Sequence, residues 1–385
     1  MLAFAVVFAT AAVGTWLLTF AVRRAAVRFG AVVLPDERRV HEKPTPTAGG
    51  AAMFLAFLAA MGVASQLPAF APVFHGSSEP LGVVLAGGVV FLVGLIDDVR
   101  EVSPPAKLAG TVLAGSVLYF LGVNMFYFRI PFADFVVLSA SLTPLITVLW
   151  VAGMTTVVNY IDGLDGLAAG IVAIGAAAFF VYGNRLTNAG LLSPDNIGPL
   201  LAVIACGVCV GFLPHNFHPA RIFMGDAGAL FLGLLMASST MVVGGRTADQ
   251  FSGQTFFFFA PLFIPFVILG VPMLDTLFSI VRRAARRTSV ARPDKDHLHH
   301  RLMRLGHGQR RSVLILWAWT AILSGMVLYP TFTNHGNAVI PFGIAGLAVL
   351  LYTMFHPGVR QRGTADGLAE VIALDGTESA RRRSR

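Results

Sequence analysis

The sequence has little charge and almost no cysteine. Charged residues make up 12% of its 385 residues, and hydrophobic residues make up 56%. Because charged residues are about a quarter of a typical soluble domain, this composition excludes a soluble globular protein and indicates a membrane protein. The two cysteines, Cys206 and Cys209, lie inside one apolar run with no third or fourth cysteine in the chain, which argues against a zinc site or a redox centre.

Long apolar runs recur along the chain. Each run is long enough to cross a hydrocarbon core of about 30 Å as a helix. The first run has no basic segment before it and no cleavage site after it, so we interpret it as a spanning helix and not as a removed signal peptide. We predict an all-α integral membrane protein, a polytopic bundle of about eleven transmembrane helices: Leu2–Val22, Thr47–Leu67, Leu81–Ile96, Leu108–Val123, Phe135–Val158, Leu167–Tyr182, Pro199–Leu213, Ala229–Val243, Phe256–Val281, Ser312–Tyr329 and Val339–Phe355.

Basic residues predict the orientation of this bundle. With eleven crossings, twenty-five of the 28 Lys and Arg fall on one side, and only Arg129, Arg185 and Arg246 fall on the other. Cytoplasmic loops carry the excess of basic residues, so the N-terminus is expected outside and the C-terminus in the cytoplasm. The net charge of +8 therefore indicates no nucleic-acid partner. Residues 1–356 form the predicted membrane domain, and residues 357–385 form a basic, disordered cytoplasmic tail.

Aspartates cluster in three short loops on the predicted cytoplasmic side. Asp97 and Asp98 lie in "GLIDDVREVSPPAK", Asp162 and Asp165 in "NYIDGLDGLAAG", and Asp226 in "RIFMGDAG". Carboxylates at a membrane interface are costly and are usually functional. We therefore expect the three loops to form one cytoplasmic-face active site, although any one of these aspartates alone would be an ordinary solvated loop residue.

Carboxylate oxygens without converging cysteines suit Mg²⁺, with Mn²⁺ as a substitute. Because Mg²⁺ usually binds one or two carboxylates plus substrate phosphates, a phosphate-bearing substrate is expected. Lys43, Lys107 and the "HLHHR" segment offer donors for the remaining phosphate charge. The spacing of His297, His299 and His300 without a nearby fourth ligand argues against zinc.

Six segments together resemble the polyprenyl-phosphate N-acetylhexosamine-1-phosphate transferases (glycosyltransferase family 4), of the WecA/TagO type. They occur in the order of that family from about Asp36 to His307: "RRVHEKPTPTAGG", "GLIDDVREVSPPAKL", "NYIDGLDGLAAG", "PARIFMGDAGALFLG", "LDTLFSIVRRAARR" and "DKDHLHHRLMRLGH". The resemblance implies transfer of GlcNAc-1-phosphate from UDP-GlcNAc to a polyprenyl phosphate, with release of UMP. It also implies the bacterial inner membrane and a role in cell-envelope polysaccharide synthesis; assembly as a homodimer is compatible with it.

The resemblance also implies roles for particular residues. Asp226 would bind the metal with Asn159 beside it, and a helical turn would bring Asn159, Asp162 and Asp165 to one face near the metal and the nucleotide. Asp97 and Asp98 would handle the acceptor phosphate, so the four predicted catalytic residues are Asp97, Asp98, Asp162 and Asp165. The predicted substrate-binding residues are His41, Lys43, Lys107, Asn159, Phe223 as the ring that stacks on uracil, His297, His299, His300 and Arg301.

Three alternatives compete with this interpretation. An enzyme of the MraY type would transfer phospho-MurNAc-pentapeptide to the same kind of lipid. An ion-coupled secondary transporter would place its carboxylates near the bilayer midplane, whereas these lie near one interface. A catalytically dead scaffold would be expected to have lost some of the aspartates.

The predicted topology can be tested by cysteine labelling. In a chain whose two native cysteines are replaced by alanine, single cysteines introduced as Glu101→Cys and Arg221→Cys should react with an impermeant reagent only from the cytoplasmic side. Asn188→Cys, in a predicted outer loop, is the control and should react only from outside. Labelling of the first two positions from opposite sides would rule out a common site.

Overall fold

The computed structural model describes residues 1–33, 44–129, 135–244, 308–333 and 339–355. Within these ranges the chain is mainly helical, with two short antiparallel strand pairs. The strands are β1 (Val32–Val33) with β2 (Thr45–Pro46), and β3 (Tyr127–Arg129) with β4 (Phe135–Val137). The helices are α1 (Leu2–Arg28), α2 (Gly50–Gln66), α3 (Ala71–Gly76), α4 (Glu79–Val99), α5 (Pro104–Phe120), α6 (Leu142–Ile161), α7 (Leu167–Asn188), α8 (Gly198–Asn216), α9 (Gly225–Gly244), α10 (Gln309–Thr333) and α11 (Val339–Phe355).

Six of the described helices are long and apolar enough to cross a membrane, namely α1, α4, α6, α7, α8 and α9. A seventh crossing results if α2 is counted with the helical segment Pro68–Gly76, from which it is separated by a bend of 92°. The prediction of a polytopic, all-α membrane protein is confirmed by these helices. The count of eleven crossings stays a prediction, and both the run Phe256–Val281 and the tail 357–385 lie outside the described residues.

The predicted start of the fifth apolar run is wrong. Its first residues form β4 and pair with Tyr127–Arg129, and the helix begins only at Leu142. Phe135, Val136 and Val137 are aromatic and β-branched residues, which favour an extended strand when a partner strand is available. Hydrophobicity alone did not separate this strand from the helix that follows it.

Helix α9 is the central helix of the described bundle. In the most apolar stretch of α9, 94% of the residues are buried, whereas 22% are buried in the corresponding stretch of α1. Glycines allow its neighbours to approach its backbone: Gly50 of α2 lies against Gly228, Gly94 of α4 against Ala227, and Gly233 of α9 against Thr155 of α6. Such contacts are possible because glycine has no Cβ atom.

These contacts bring several helix ends together at one end of the bundle, which we call the site end. Helices α2, α5 and α9 begin there, and α4 and α6 end there. The opposite end has contacts of its own: Ser78 Oγ donates to the Leu121 carbonyl at 3.0 Å, and Asn196 Nδ2 donates to the Val242 carbonyl at 2.6 Å. The loops with functional candidates therefore share one end.

Substitution at Gly50 should test this close packing. A Cβ at Gly50 would overlap the backbone of Gly228, so Gly50→Ala should lower stability by roughly 1–3 kcal/mol through overpacking. Thermal unfolding in detergent measures the loss. The matched control is Gly62→Ala in the same helix, where no atom lies within 4 Å of the added Cβ, and this variant should lose no stability.

Candidate active site

Lys107 joins two aspartates from different helices. Its Nζ atom lies 2.6 Å from Asp97 Oδ2 and 2.6 Å from Asp226 Oδ2. Asn159, near the end of α6, donates from Nδ2 to the same Asp226 oxygen at 3.1 Å. Four helices thus supply one polar cluster: α4 gives Asp97, α5 gives Lys107, α6 gives Asn159 and α9 gives Asp226. Sequence analysis selected all four residues, and the structure brings them together.

The turn between α4 and α5 explains how Lys107 reaches this cluster. Helix α4 ends at Val99, and α5 begins with Pro104 and Pro105, which are suited to a first helical turn because neither needs an amide donor there. Asp97 Oδ1 accepts a hydrogen bond from the Val102 amide at 2.7 Å. This bond closes the turn and leaves Asp97 Oδ2 for Lys107, the fourth residue of α5.

Asp98, the neighbour of Asp97, contacts a different group. Its carboxylate accepts hydrogen bonds from the backbone amides of Asp226 at 2.8 Å and Ala227 at 3.3 Å. Adjacent residues on a helix point about 100° apart, which is why the two aspartates reach different partners. The sequence predicts that both aspartates lie at the site, and the structure shows that they contact different groups.

The loop before α9 is fixed by the start of α2. The Phe223 amide donates to the Pro46 carbonyl at 2.9 Å, and the Gly49 amide donates to the Phe223 carbonyl at 2.9 Å. The Gly50 amide donates to the Met224 carbonyl at 2.8 Å. The Phe223 backbone is therefore held rigidly three residues before Asp226, and its side chain is half-buried.

Asn159 and Asp165 do not share a helical face. Helix α6 ends at Ile161, so the expectation that one helical turn aligns Asn159, Asp162 and Asp165 is wrong. The sequence places Gly163 and Gly166 after this point, and Gly166 adopts φ +76°, a left-handed conformation that favours glycine and turns the chain into α7.

Asp165 is buried and holds the loop before α9. Its Oδ2 atom lies 2.7 Å from His218 Nδ1 and accepts a hydrogen bond from the Ala220 amide at 3.1 Å. Asn216 supports the same junction, because its Oδ1 accepts from the Gly166 amide and its Nδ2 donates to the Ile222 carbonyl, both at 3.0 Å. Sequence analysis missed His218 and Asn216. The sequence signal for these two residues was that both are polar and lie between an apolar run and the motif "PARIFMGD".

Asp162 lies just beyond α6 in surroundings that disfavour negative charge. Burial raises the pKa of Asp162 to about 8, and the nearby carboxylates of Asp226, Asp98 and Asp165 contribute to the same increase. Loss of solvation and repulsion between like charges both favour the protonated form. A cation bound near these carboxylates would favour the ionised form.

The cluster offers few ligands for a metal ion. Within the described ranges, no group of three or more His, Cys, Asp and Glu residues is close enough to bind a metal by itself. The predictions for six further residues lie outside the described ranges: His41, Lys43, His297, His299, His300 and Arg301.

The helical bundle and its polar cluster define an integral membrane protein with a site of two aspartates, a lysine and an asparagine at one end. Residues 80–244 match the family model described as glycosyl transferase family 4. A decaprenyl-phosphate N-acetylglucosaminephosphotransferase from Mycolicibacterium smegmatis is 38% identical over 361 residues, which cover 91% of this chain and 87% of that protein. The chain therefore belongs to glycosyl transferase family 4.

Two more distant relatives differ in the reaction that their names describe. A probable undecaprenyl-phosphate N-acetylglucosaminyl 1-phosphate transferase from Bacillus subtilis is 33% identical over 318 residues, 82% of each chain. A phospho-N-acetylmuramoyl-pentapeptide-transferase from Staphylococcus epidermidis is 27% identical over 321 residues, covering 78% of this chain and 90% of that protein. The chain is thus more similar to the M. smegmatis and B. subtilis proteins, at 38% and 33% identity, than to the S. epidermidis protein.

The pair of Asp165 and His218 should stabilise the junction between the two loops. Asp165→Ala and His218→Ala should each lower the free energy of unfolding by roughly 1–3 kcal/mol, because each leaves a polar partner without its hydrogen bond. A double-mutant cycle followed by thermal unfolding in detergent should show that the two losses are not additive. Additive losses would mean that the pair does not act as a unit.

Proposed function

We propose that this protein transfers GlcNAc-1-phosphate from UDP-GlcNAc to a membrane polyprenyl phosphate. The products are polyprenyl-diphosphate-GlcNAc and UMP, and the reaction would be the first membrane step of cell-envelope polysaccharide synthesis. Three residues from three helices carry this proposal: Lys107 Nζ lies 2.6 Å from a carboxylate oxygen of Asp97 and 2.6 Å from a carboxylate oxygen of Asp226. The names of the relatives at 38% and 33% identity support the same substrates.

The residues present fit a divalent cation such as Mg²⁺, with Mn²⁺ as a substitute. Asp226 would be its main ligand, with the Asn159 side chain beside it. The Lys107 ammonium already lies between Asp97 and Asp226, which indicates that positive charge is stabilised at this point. Since Mg²⁺ usually binds one or two carboxylates, donor phosphate oxygens would complete the ligand set. When bound, the cation would neutralise charge on the donor diphosphate.

Asp97 and Lys107 would handle the acceptor. Lys107 would bind the phosphate of the lipid, and Asp97 would accept its proton where that phosphate is still monoprotonated. A phosphate oxygen of the lipid then attacks the phosphorus that bears the sugar, in line with the bond to UMP, which leaves as that bond breaks. Lys107 also keeps two carboxylates close together without strong repulsion.

The remaining site residues would bind the nucleotide sugar. The Phe223 ring would stack on uracil, and the backbone hydrogen bonds at Phe223 would hold the ring in position. Asp162 would lie near the metal and the nucleotide. Asp165 would act by holding the turn between α6 and α7, since its carboxylate is bonded to His218 and the Ala220 amide. The donors predicted for the diphosphate and the sugar are His41, Lys43, His297, His299, His300 and Arg301.

We infer that the site faces the cytoplasm of a bacterial cell. The site end includes Arg23, Arg24 and Arg28 at the end of α1, together with Arg100, Arg221, Arg310 and Arg311. Among the described residues near the opposite end, the Lys and Arg residues are Arg129, in β3, and Arg185, in the last turn of α7. The positive-inside rule then supports a multi-pass protein of the inner membrane with the site on the cytoplasmic side.

The structure also bears on the transporter alternative. Carboxylates that couple ions in transporters lie near the bilayer midplane at broken helices. Here Asp97 and Asp98 lie in the last turn of α4, and Asp226 lies in the first turn of α9, so the carboxylates lie at helix ends. This placement favours an interfacial enzyme.

A donor assay with purified protein tests the proposed function. With polyprenyl phosphate and Mg²⁺, UDP-GlcNAc should release UMP and UDP-MurNAc-pentapeptide should not. Asp226→Asn should lower turnover by about 10²-fold or more, because it removes the main metal ligand. The control is Asp195→Asn, an exposed aspartate at the opposite end, which should keep full turnover. UMP release from the pentapeptide donor alone would establish the MraY alternative instead.

A further inference from the structure

The Asp98 side chain, which belongs to α4, accepts hydrogen bonds from backbone amides in the first turn of α9. The first amides of an α-helix have no partner within the helix, and this end carries partial positive charge. A side chain just before the helix usually accepts these hydrogen bonds. Neither Met224, just before α9, nor Gly225, its first residue, has a side-chain oxygen, and the Asp98 carboxylate accepts from the Asp226 amide at 2.8 Å and from the Ala227 amide at 3.3 Å.

Two glycines make this contact possible. A Cβ at Gly94, one turn before Asp98 in α4, would overlap the backbone at Asp226 and Ala227. Gly225 has φ +70°, and a Cβ there would overlap the Asp98 carboxylate. The last turn of α4 and the first turn of α9 therefore fit together only with glycine at both positions.

The contact fixes the direction of the Asp226 side chain. Asp226 bonds to Asp98 through its backbone amide, and to Lys107 and Asn159 through its carboxylate. An error in the position of the first turn of α9 would move the carboxylate away from both partners. Both Asp98 oxygens point at backbone amides, whereas Asp97 Oδ2 points at Lys107 in the centre of the cluster.

We propose that Asp98 is a positioning residue, which anchors α9 so that Asp226 can bind the metal, and that Asp97 alone of the two adjacent aspartates faces the reacting groups. The metal part of this inference rests on the proposed function. The anchoring part does not, because it concerns contacts within the protein.

Three variants of full-length protein separate these roles. Asp98→Asn replaces one acceptor oxygen by an amide that repels a backbone N–H, and Gly94→Ala separates the same two helix ends without changing any ionisable group. Both should raise the hydrogen-exchange rate of the first turn of α9. The control is Gly87→Ala, where the added Cβ meets the Phe231 ring at 3.2 Å in the same pair of helices but two turns farther from the site; it should leave that rate unchanged.

Metal binding and turnover supply the second measurement. Asp98→Asn and Gly94→Ala should weaken Mn²⁺ binding, followed by electron paramagnetic resonance, by about 10-fold or more, as is usual when support for a metal ligand is lost. The Mg²⁺ concentration for half-maximal UMP release should rise by a similar factor, and saturating Mg²⁺ should restore most of the kcat. Asp97→Asn should keep a low kcat at every Mg²⁺ concentration.

Distinct outcomes would overturn the inference and the proposed function. If Asp98→Asn loses kcat at saturating Mg²⁺ while hydrogen exchange and Mn²⁺ binding match those of the unsubstituted protein, Asp98 acts on the reacting groups and the inference is wrong. If Asp98→Asn fails to fold, Gly94→Ala decides: unchanged hydrogen exchange in the first turn of α9 and unchanged Mn²⁺ binding would overturn the inference. If the unsubstituted protein releases no UMP while Asp98→Asn and Gly94→Ala still loosen α9, the proposed function fails and the anchoring role stands.

Discussion

The site depends on the attraction between one ammonium group and two carboxylates. Asp97 and Asp226 come from helices far apart in sequence, and their negative charges would repel each other at the edge of a membrane, where solvation is reduced. Lys107 contacts both at 2.6 Å and so holds the ends of α4, α5 and α9 in a fixed relation. The electrostatic balance of the site is therefore part of its architecture, and Asn159 extends it to α6.

A second polar junction supports the first. Asp165 and Asn216 tie the turn between α6 and α7 to the loop that leads into α9, and this loop is also bonded to the start of α2. These hydrogen bonds hold the loop that leads to Asp226. Polar contacts at the helix ends thus define the site, while glycines along α9 set how closely the helices can approach.

Much of this organisation could be predicted from the sequence. The apolar runs predicted the helices, and the choice of Asp97, Lys107, Asn159 and Asp226 predicted the cluster, because charged residues in so apolar a chain are few and stand out. The separate contacts of Asp97 and Asp98 could not be predicted, since adjacent aspartates look alike in a motif and their directions depend on which helix end lies beside each one. His218 and Asn216 were missed for a related reason: their partners are backbone amides, a carbonyl and a carboxylate brought close only by the fold.

The start of α10 lies near the site, and this position shows where the chain leaves and re-enters the described bundle. Arg310 Nε donates to the His218 carbonyl at 3.0 Å, so the polypeptide re-enters the described bundle beside the active centre. It leaves the bundle after α9, close to the Val242 carbonyl that Asn196 binds at the far end. Helix α9 therefore ends at one end of the bundle, and α10 begins at the other, beside the polar cluster.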